Sequence, residues 1–355
     1  MKQLNSVALA TLLGVTGASA AHAAATCKQT GFVRDGINLT AAIINPSSKV
    51  TGDVDATGCD IGVFFGKGRQ GTVDTADVYG ARYFGVVNNG ADVKVQNSTI
   101  SNIGDVPFDG AQHGIAIYFY DAGAMGQIAN NIVWKYQKNG IALSMVQTKI
   151  DISNNTVIGE GPVNYIAQNG IEVLGATARV RGNTVSGNAY TGPNVASAGG
   201  ITLVGGAYFS APSTTDTEVS ENTVVGNDVG VFDVNALSAT SPVRTPTNNV
   251  IRNNVAIDNV ITNTTGSSST MGYQAGISVF SNGDSIVNNY ICGLGYTGPS
   301  TSAYSLHTID TSGSVNTEMK GNTVCPSALP AVVGAAIAAI PSASATVAEA
   351  PHPSP

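Results

Sequence analysis

Apolar and polar positions alternate along this chain in short runs, and the runs recur. The stretch from Asn139 reads "NGIALSMVQTKIDISNNTVIGE", the stretch from Asn169 reads "NGIEVLGATARVRGNTVSGN", and Gly199 opens a third with "GGITLV". Each holds a Gly-Ile with alternating apolar residues, then a second alternating run, then Asn-Thr-Val and a Gly/Asn turn. The glycine recurs at Gly114, Gly140, Gly170, Gly200, Gly230 and Gly276. The asparagine recurs at Asn131, Asn155, Asn183, Asn222, Asn254, Asn289 and Asn322. Alternation over such short runs marks strands with one buried face, and self-similarity at this interval marks a solenoid. In the coil from Gly170, Ile171 and Val173 fall on a first strand, Val180 on a second, Asn183 at the turn and Val185 on a third. Stacking the coils predicts one interior column of Ile115, Ile141, Ile171, Ile201 and Ile277. A second column holds Ile117, Leu143, Val173, Leu203 and Val279. The repeated asparagines predict an amide ladder between coils, a structural role. Asp233 in "GVFDV" would point inward by strict alternation, so a bulge is expected there.

The ends of the chain depart from this pattern. Residues 1–23 hold Lys2, an apolar run and "ASA" or "AHA", which reads as a secretory signal peptide and predicts an exported, secreted or periplasmic protein. Residues 24–59 are poorly periodic and are expected to cap the first coil, because a bare strand edge recruits other chains. The repeats occupy 60–325. Residues 326–355 are rich in Ala, Pro and Ser and read as a flexible tail, with an attachment segment as the alternative. Neither apolar stretch reaches the roughly 20 residues that a membrane span needs.

Composition narrows the partners. Charged residues make up only 11% of the chain, and the net charge of −7 becomes −8 without residues 1–23, which hold one lysine and no acid. A charge-poor, mildly acidic surface argues against nucleic acid, which demands a concentrated basic footprint. The cysteines carry a further signal. Cys292 follows Asn289 by the same spacing as Cys325 follows Asn322, so the two occupy one repeat position on neighbouring coils. Stacked strands lie about 4.8 Å apart, within disulfide reach. Cys292–Cys325 is therefore expected, leaving Cys27–Cys59 at the other end. No Cys or His cluster has metal-ligand spacing. No cofactor is implied, and calcium is left open.

The "GI-x-V … NTV" phrasing resembles the right-handed parallel β-helix repeat of the pectin-lyase-like superfamily, over roughly residues 60–325. The resemblance implies an all-β fold, a right-handed single-stranded parallel β-helix of about eight to ten coils with an N-terminal cap. That superfamily spans polysaccharide lyases, glycoside hydrolases, uronate epimerases, phage tailspikes and surface proteins, so the resemblance implies a scaffold more than an activity. The polygalacturonase motifs are missing, apart from a "QHG" at Gln112–Gly114 with no acidic pair beside it. Neither a pectate-lyase acidic cluster nor an epimerase "DPH" is present.

With the repeat as a ruler, the outward positions of the Gly-Ile strands include Tyr118 and Glu172. A second exposed column is expected just before the glycine: Gln112-His113, Lys138-Asn139, Gln168-Asn169, Ala198-Gly199, Asp228-Val229 and Gln274-Ala275. The longest loops feed this edge, where function on a rigid scaffold usually sits. His113, Lys138, Glu172 and Asp228 are the candidate catalytic residues. Asp109, Gln112, Tyr118, Tyr120, Tyr165 and Gln168 are the candidate contacts to a sugar chain. In a β-elimination, Lys138 would neutralise a uronate carboxylate while His113 or a tyrosine takes the proton. In a hydrolysis, Glu172 and Asp228 would supply the two carboxyls. Each of these positions also has a plain structural reading. Two functions are therefore expected of a monomer: binding and cleavage of an extracellular polysaccharide, or a non-catalytic role in which the β-helix binds glycans or forms part of the cell surface.

Overall fold

A computed structural model describes residues 26–194, 196–262 and 272–325. The expected signal peptide and tail lie outside the described residues. The chain winds as a parallel β-helix with three faces. The first face is a twelve-stranded sheet running from Lys28–Arg34 and Ile37–Ile44 through Asn139–Ser144 and Asn169–Leu174 to Tyr304–Asp310. The other two faces are joined in an eighteen-stranded sheet, Ile150–Ser153 and Ala178–Arg181 belonging to the second and Thr156–Val163 and Thr184–Tyr190 to the third. Pairing between coils is parallel throughout. Lys28–Arg34, antiparallel to Ile37–Ile44, is a departure at the N-terminal end. Parallel pairing already begins between Ile37–Ile44 and Ile61–Phe65, inside the stretch expected to cap the solenoid.

The strands form because each offers one apolar row to the interior. Ile141, Ile171, Ile201 and Ile277 stack in register with Val231 on the first face. Ile128, Ile152, Val180, Val219 and Ile251 do so on the second, and Val133, Val157, Val185 and Val224 on the third. All are fully buried. One coil departs from the predicted register. Ile117, not Ile115, aligns with Ile141, and Phe119 aligns with Leu143. Ile115 lies beside Asn139 on the outer face, because the long loop before Gly114 delivers the strand two residues early. Gly114 therefore leaves the glycine column, and Ala116 takes its place. The remaining glycines sit where the chain turns inward against the next coil. A Cβ on Gly170 would lie 2.6 Å from the Gly200 carbonyl oxygen and would strike Val185.

The asparagine ladder is present in full. Asn131, Asn155, Asn183, Asn222, Asn254 and Asn289 each donate a backbone N–H and a side-chain Nδ2–H to the Oδ1 of the next asparagine, at 2.9–3.0 Å. Each Nδ2 also donates to a backbone carbonyl, as Asn183 does to Ile152 at 2.9 Å. The residue before each ladder asparagine takes a left-handed conformation, as at Asn154 (φ 55°), Gly182 (φ 64°) and Asn253 (φ 55°). Only Gly, or a short polar residue such as Asn, adopts this readily. The "NN" and "GN" pairs in the sequence are thus the corner between the second and third faces. Both disulfides form as expected, Cys27–Cys59 and Cys292–Cys325, with Cα separations of 5.4 and 4.9 Å.

Asp233 overturns an expectation. It stays in the interior column between Leu203 and Val279, with no bulge, and is fully buried. A polar enclave replaces the apolar core here. Asp233 accepts from Asn235 at 2.8 Å and from Asn249 at 3.0 Å. Asp284 accepts from Thr247 at 2.6 Å and from the Asn249 amide at 2.7 Å, and bonds Ser281. Burial, with the Asp284 charge beside it, pushes Asp233 well above its ordinary value, and burial also raises Asp284.

Two predictions follow from these contacts. Asn183→Ala strands the Asn155 donors and the Ile152 and Asn222 acceptors, and is expected to cost on the order of 3 kcal/mol in urea unfolding. Because Asp233 and Asp284 bind protons more tightly folded than unfolded, the stability they give is full below the ordinary aspartate value of 3.8. It is lost as pH rises through their raised values. Wild-type unfolding midpoints should therefore fall on that ascent, and those of Asp233→Asn should fall less.

Candidate functional site

Much of the expected pre-glycine column does not face solvent, although Gln112 does. Gln168, Ala198, Asp228 and Gln274 are all fully buried. The side chains of Gln168, Asp228 and Gln274 fasten the long loops instead. Gln168 donates to the Tyr136 carbonyl at 2.7 Å and accepts from the Glu160 amide at 3.1 Å. Asp228 accepts from the Tyr190 and Ala198 amides, both at 2.9 Å. Gln274 accepts from the Thr262 amide and donates to Asp258, whose burial pushes its carboxyl up to about 7. Gln137, one position away, holds the Asp105–Ala111 loop in the same manner, and Asp109 is one of its partners. The reason is local: a loop that leaves a stacked sheet carries unpaired amides inward, and a buried amide or carboxylate must meet them.

The other predicted residues also find protein partners. His113 lies flat against Tyr83, ring centroids 4.0 Å apart, and its Nε2 is 2.6 Å from Asp105 Oδ2. Arg82 donates to the other Asp105 oxygen at 2.7 Å. Burial alone would raise Asp105, yet Arg82 and His113 together hold it below its ordinary value. Lys138 Nζ donates to the Ala167 carbonyl at 2.9 Å, and burial lowers its ammonium despite the opposing pull of Glu172. Tyr118 is buried, stacks on Phe84 at 4.9 Å, and accepts from Arg34 at 3.0 Å. The Arg34 guanidinium lies 4.1 Å from the Tyr120 ring centroid and 4.6 Å from that of Phe32. The N-terminal hairpin therefore folds over the outer face of the first few coils and occupies both tyrosines. Tyr165 bonds Glu160 at the surface, Gln112 is exposed, and its Nε2 donates to Gly110.

Beyond the hairpin the outer face carries partly exposed side chains, among them Glu172, Leu174, Phe232 and Phe280. Its register gives three adjacent columns on successive strands. Asn139 and Asn169 lead to His307. Glu172, Thr202, Phe232 and Ser278 lead to Asp310. Leu174, Val204, Val234 and Phe280 make an apolar stripe alongside. Glu172 is the one catalytic candidate on this surface, half-buried, and accepts from Asn169 at 2.8 Å. Asn139 Oδ1 is buried there with no partner among the described residues. Where the stripe ends, a shallow cleft of about 440 Å³ runs past Met145, Gln147, Pro212 and Thr215. At the far end Tyr273, Ser278 and Asp310 are joined by hydrogen bonds of 2.9 and 2.7 Å, beside a Ser305–His307 pair at 2.7 Å. The sequence reading missed this group because Thr308-Ile309 stands where earlier coils have Gly-Ile. The period-two spacing of Ser305 and His307 on one strand was the available signal. No group of metal-ligating side chains lies close enough to hold an ion among the described residues. No helix of theirs is long and apolar enough to cross a membrane.

Residues 40–224 match the profile of a family described as a right handed beta helix region. No curated protein sequence matches. Among solved structures, the crystal structure of the Dettilon tailspike protein is similar to 80% of this chain, at 14% identity and a TM-score of 0.44. The chain spans 55% of the tailspike's length.

If Asp228 is a loop clamp, Asp228→Ala should lower stability by about 2 kcal/mol in urea, the cost of two stranded amides. A solvent-facing acid would be replaced at little cost, so an unchanged unfolding midpoint would contradict the clamp.

Proposed function

The chain belongs to the right-handed β-helix family, and from that premise we propose that it is an exported glycan-binding protein whose ligand lies along the C-terminal half of the first sheet's outer face. The observation that carries this is the pairing of columns on that face. A mixed row of Glu172, Thr202, Phe232, Ser278 and Asp310, in which Thr202 and Ser278 are buried, runs beside an apolar row from Leu174 to Phe280, both parallel to the solenoid axis. A sugar chain has the same division, hydroxyl edges and apolar ring faces, and an extended chain can follow a row across several coils. Phe232 and Phe280 supply the flat apolar surface, and Glu172 the acceptor. Two disulfides fit an oxidising compartment.

Cleavage of the glycan backbone has weaker support. Hydrolysis needs two carboxyls astride one bond, and Asp228, the expected partner of Glu172, is buried under its loop. Elimination needs a free base and a free cation, while His113 and Lys138 are held by Asp105 and Ala167.

The test is a panel of neutral and acidic polysaccharides read by affinity electrophoresis and calorimetry. Phe232→Ala and Glu172→Ala should each weaken binding about tenfold, a loss of roughly 1.4 kcal/mol, while His113→Ala leaves it unchanged. Absence of binding across the panel, or binding lost only in His113→Ala, would refute the outer face as the site.

A further inference from the structure

We propose that Ser305 and His307 form a nucleophile–base pair that removes ester substituents from a glycan held on this face. The inference rests on the glycan reading for its substrate, but not for its chemistry. Ser305 and His307 are two residues apart on Tyr304–Asp310, so both side chains leave the same side of the strand. Ser305 Oγ and His307 Nε2 are 2.7 Å apart. With the His307 proton assigned to Nδ1, Nε2 accepts the serine hydroxyl, the arrangement a nucleophilic serine needs. Both residues are half-buried, so they are partly shielded from water and still reachable.

The neighbours hold the imidazole. Tyr273 pairs with Ser305 across the strands, and its ring lies 5.5 Å from the His307 ring. Its hydroxyl donates to Asp310 at 2.7 Å, so the ring is fixed along the strand. Burial works to raise Asp310, yet hydrogen bonds from the Ser312 amide and the Tyr273 hydroxyl hold it below its ordinary value. Asp310 is thus the acceptor that keeps the Tyr273 ring in place beside His307.

The chemistry balances with water as the co-reactant. His307 Nε2 takes the Ser305 hydroxyl proton as Oγ bonds to the ester carbonyl carbon, and the carbonyl electron pair moves onto oxygen. Collapse restores the carbonyl and breaks the bond to the sugar oxygen, which leaves with the proton from His307. Water then attacks the acyl-serine by the same route, releasing the carboxylic acid and restoring Ser305. Among the described residues Asp310 is the carboxylate hydrogen-bonded within this group, and no second one is bonded to it to make the acid pair that glycosidic hydrolysis uses. Two other candidates were weaker: Asp233 and Asp284 are closed off from solvent, and His113 has Asp105 and Tyr83 as its neighbours rather than a nucleophile.

The experiment uses the full chain, p-nitrophenyl acetate, O-acetylated xylan and a fluorophosphonate probe, with binding to the polysaccharide panel measured separately. Hydrolysis above the uncatalysed rate is expected, with the probe adduct mapped by mass spectrometry to Ser305. Ser305→Ala and His307→Asn should each lose about a hundredfold or more in rate, with circular dichroism confirming the fold. Tyr273→Phe keeps the ring, and should lower kcat several-fold with KM unchanged. Ester hydrolysis that survives Ser305→Ala, or a folded wild type with neither hydrolysis nor adduct, overturns the proposal. Glycan binding without ester hydrolysis would refute the pair alone. Ester hydrolysis without glycan binding would refute the glycan reading and leave the pair standing.

Discussion

Every coil of this protein must lie on the next at the spacing of hydrogen-bonded strands, about 4.8 Å. At that distance each residue meets its counterpart above and below before it meets anything else. Like must therefore stack on something compatible. Isoleucine and valine do so by filling the interior, and asparagine does so because its amide carries a donor and an acceptor that pair with themselves. The ladder from Asn131 to Asn322 satisfies the amides at one corner of every coil it crosses. The bend that presents each asparagine depends on the left-handed residue before it.

The same constraint decides where chemistry can sit. Loops that leave the stack expose backbone amides which the neighbouring coils cannot satisfy. Buried side chains such as Gln137, Gln168, Asp228 and Gln274 meet that need. Polar residues at the loop edge are thus consumed by the fold, and a reactive-looking histidine there serves a loop. The outer face of the first sheet has its backbone already satisfied, so its side chains bond one another instead, as Asn169 does Glu172 and Tyr273 does Asp310. Near the N-terminus the hairpin bearing Phe32 and Arg34 covers it. Towards the C-terminus it carries partly exposed side chains.

The solenoid, the interior columns, the ladder and both disulfides were legible in the sequence, because each is a repeat set by coil-to-coil stacking. Four features were not. The alignment of Ile117 with Ile141 was hidden by loop length, which periodicity does not measure. The burial of Asp228 was hidden because alternation describes strands and says nothing about the turn that precedes them. The burial of Asp233 was hidden because alternation along one strand does not show its partners: Asn249 from another segment and Asn235 on its own strand donate to it, and Asp284 lies beside it. Tyr273, Ser305, His307 and Asp310 went unseen because the last coil has lost the Gly-Ile phrase that served as the ruler.

On the proposed reading the C-terminal half of the first sheet's outer face, rather than the loop edge, meets the ligand. Side-chain footprinting with a photogenerated carbene, in the presence and absence of a bound polysaccharide, tests this most directly. Protection of Phe232, Tyr273 and Phe280, with Tyr165 and Gln112 labelled as before, is the predicted result. Protection of Tyr165 and Gln112 with the outer face unchanged would contradict it.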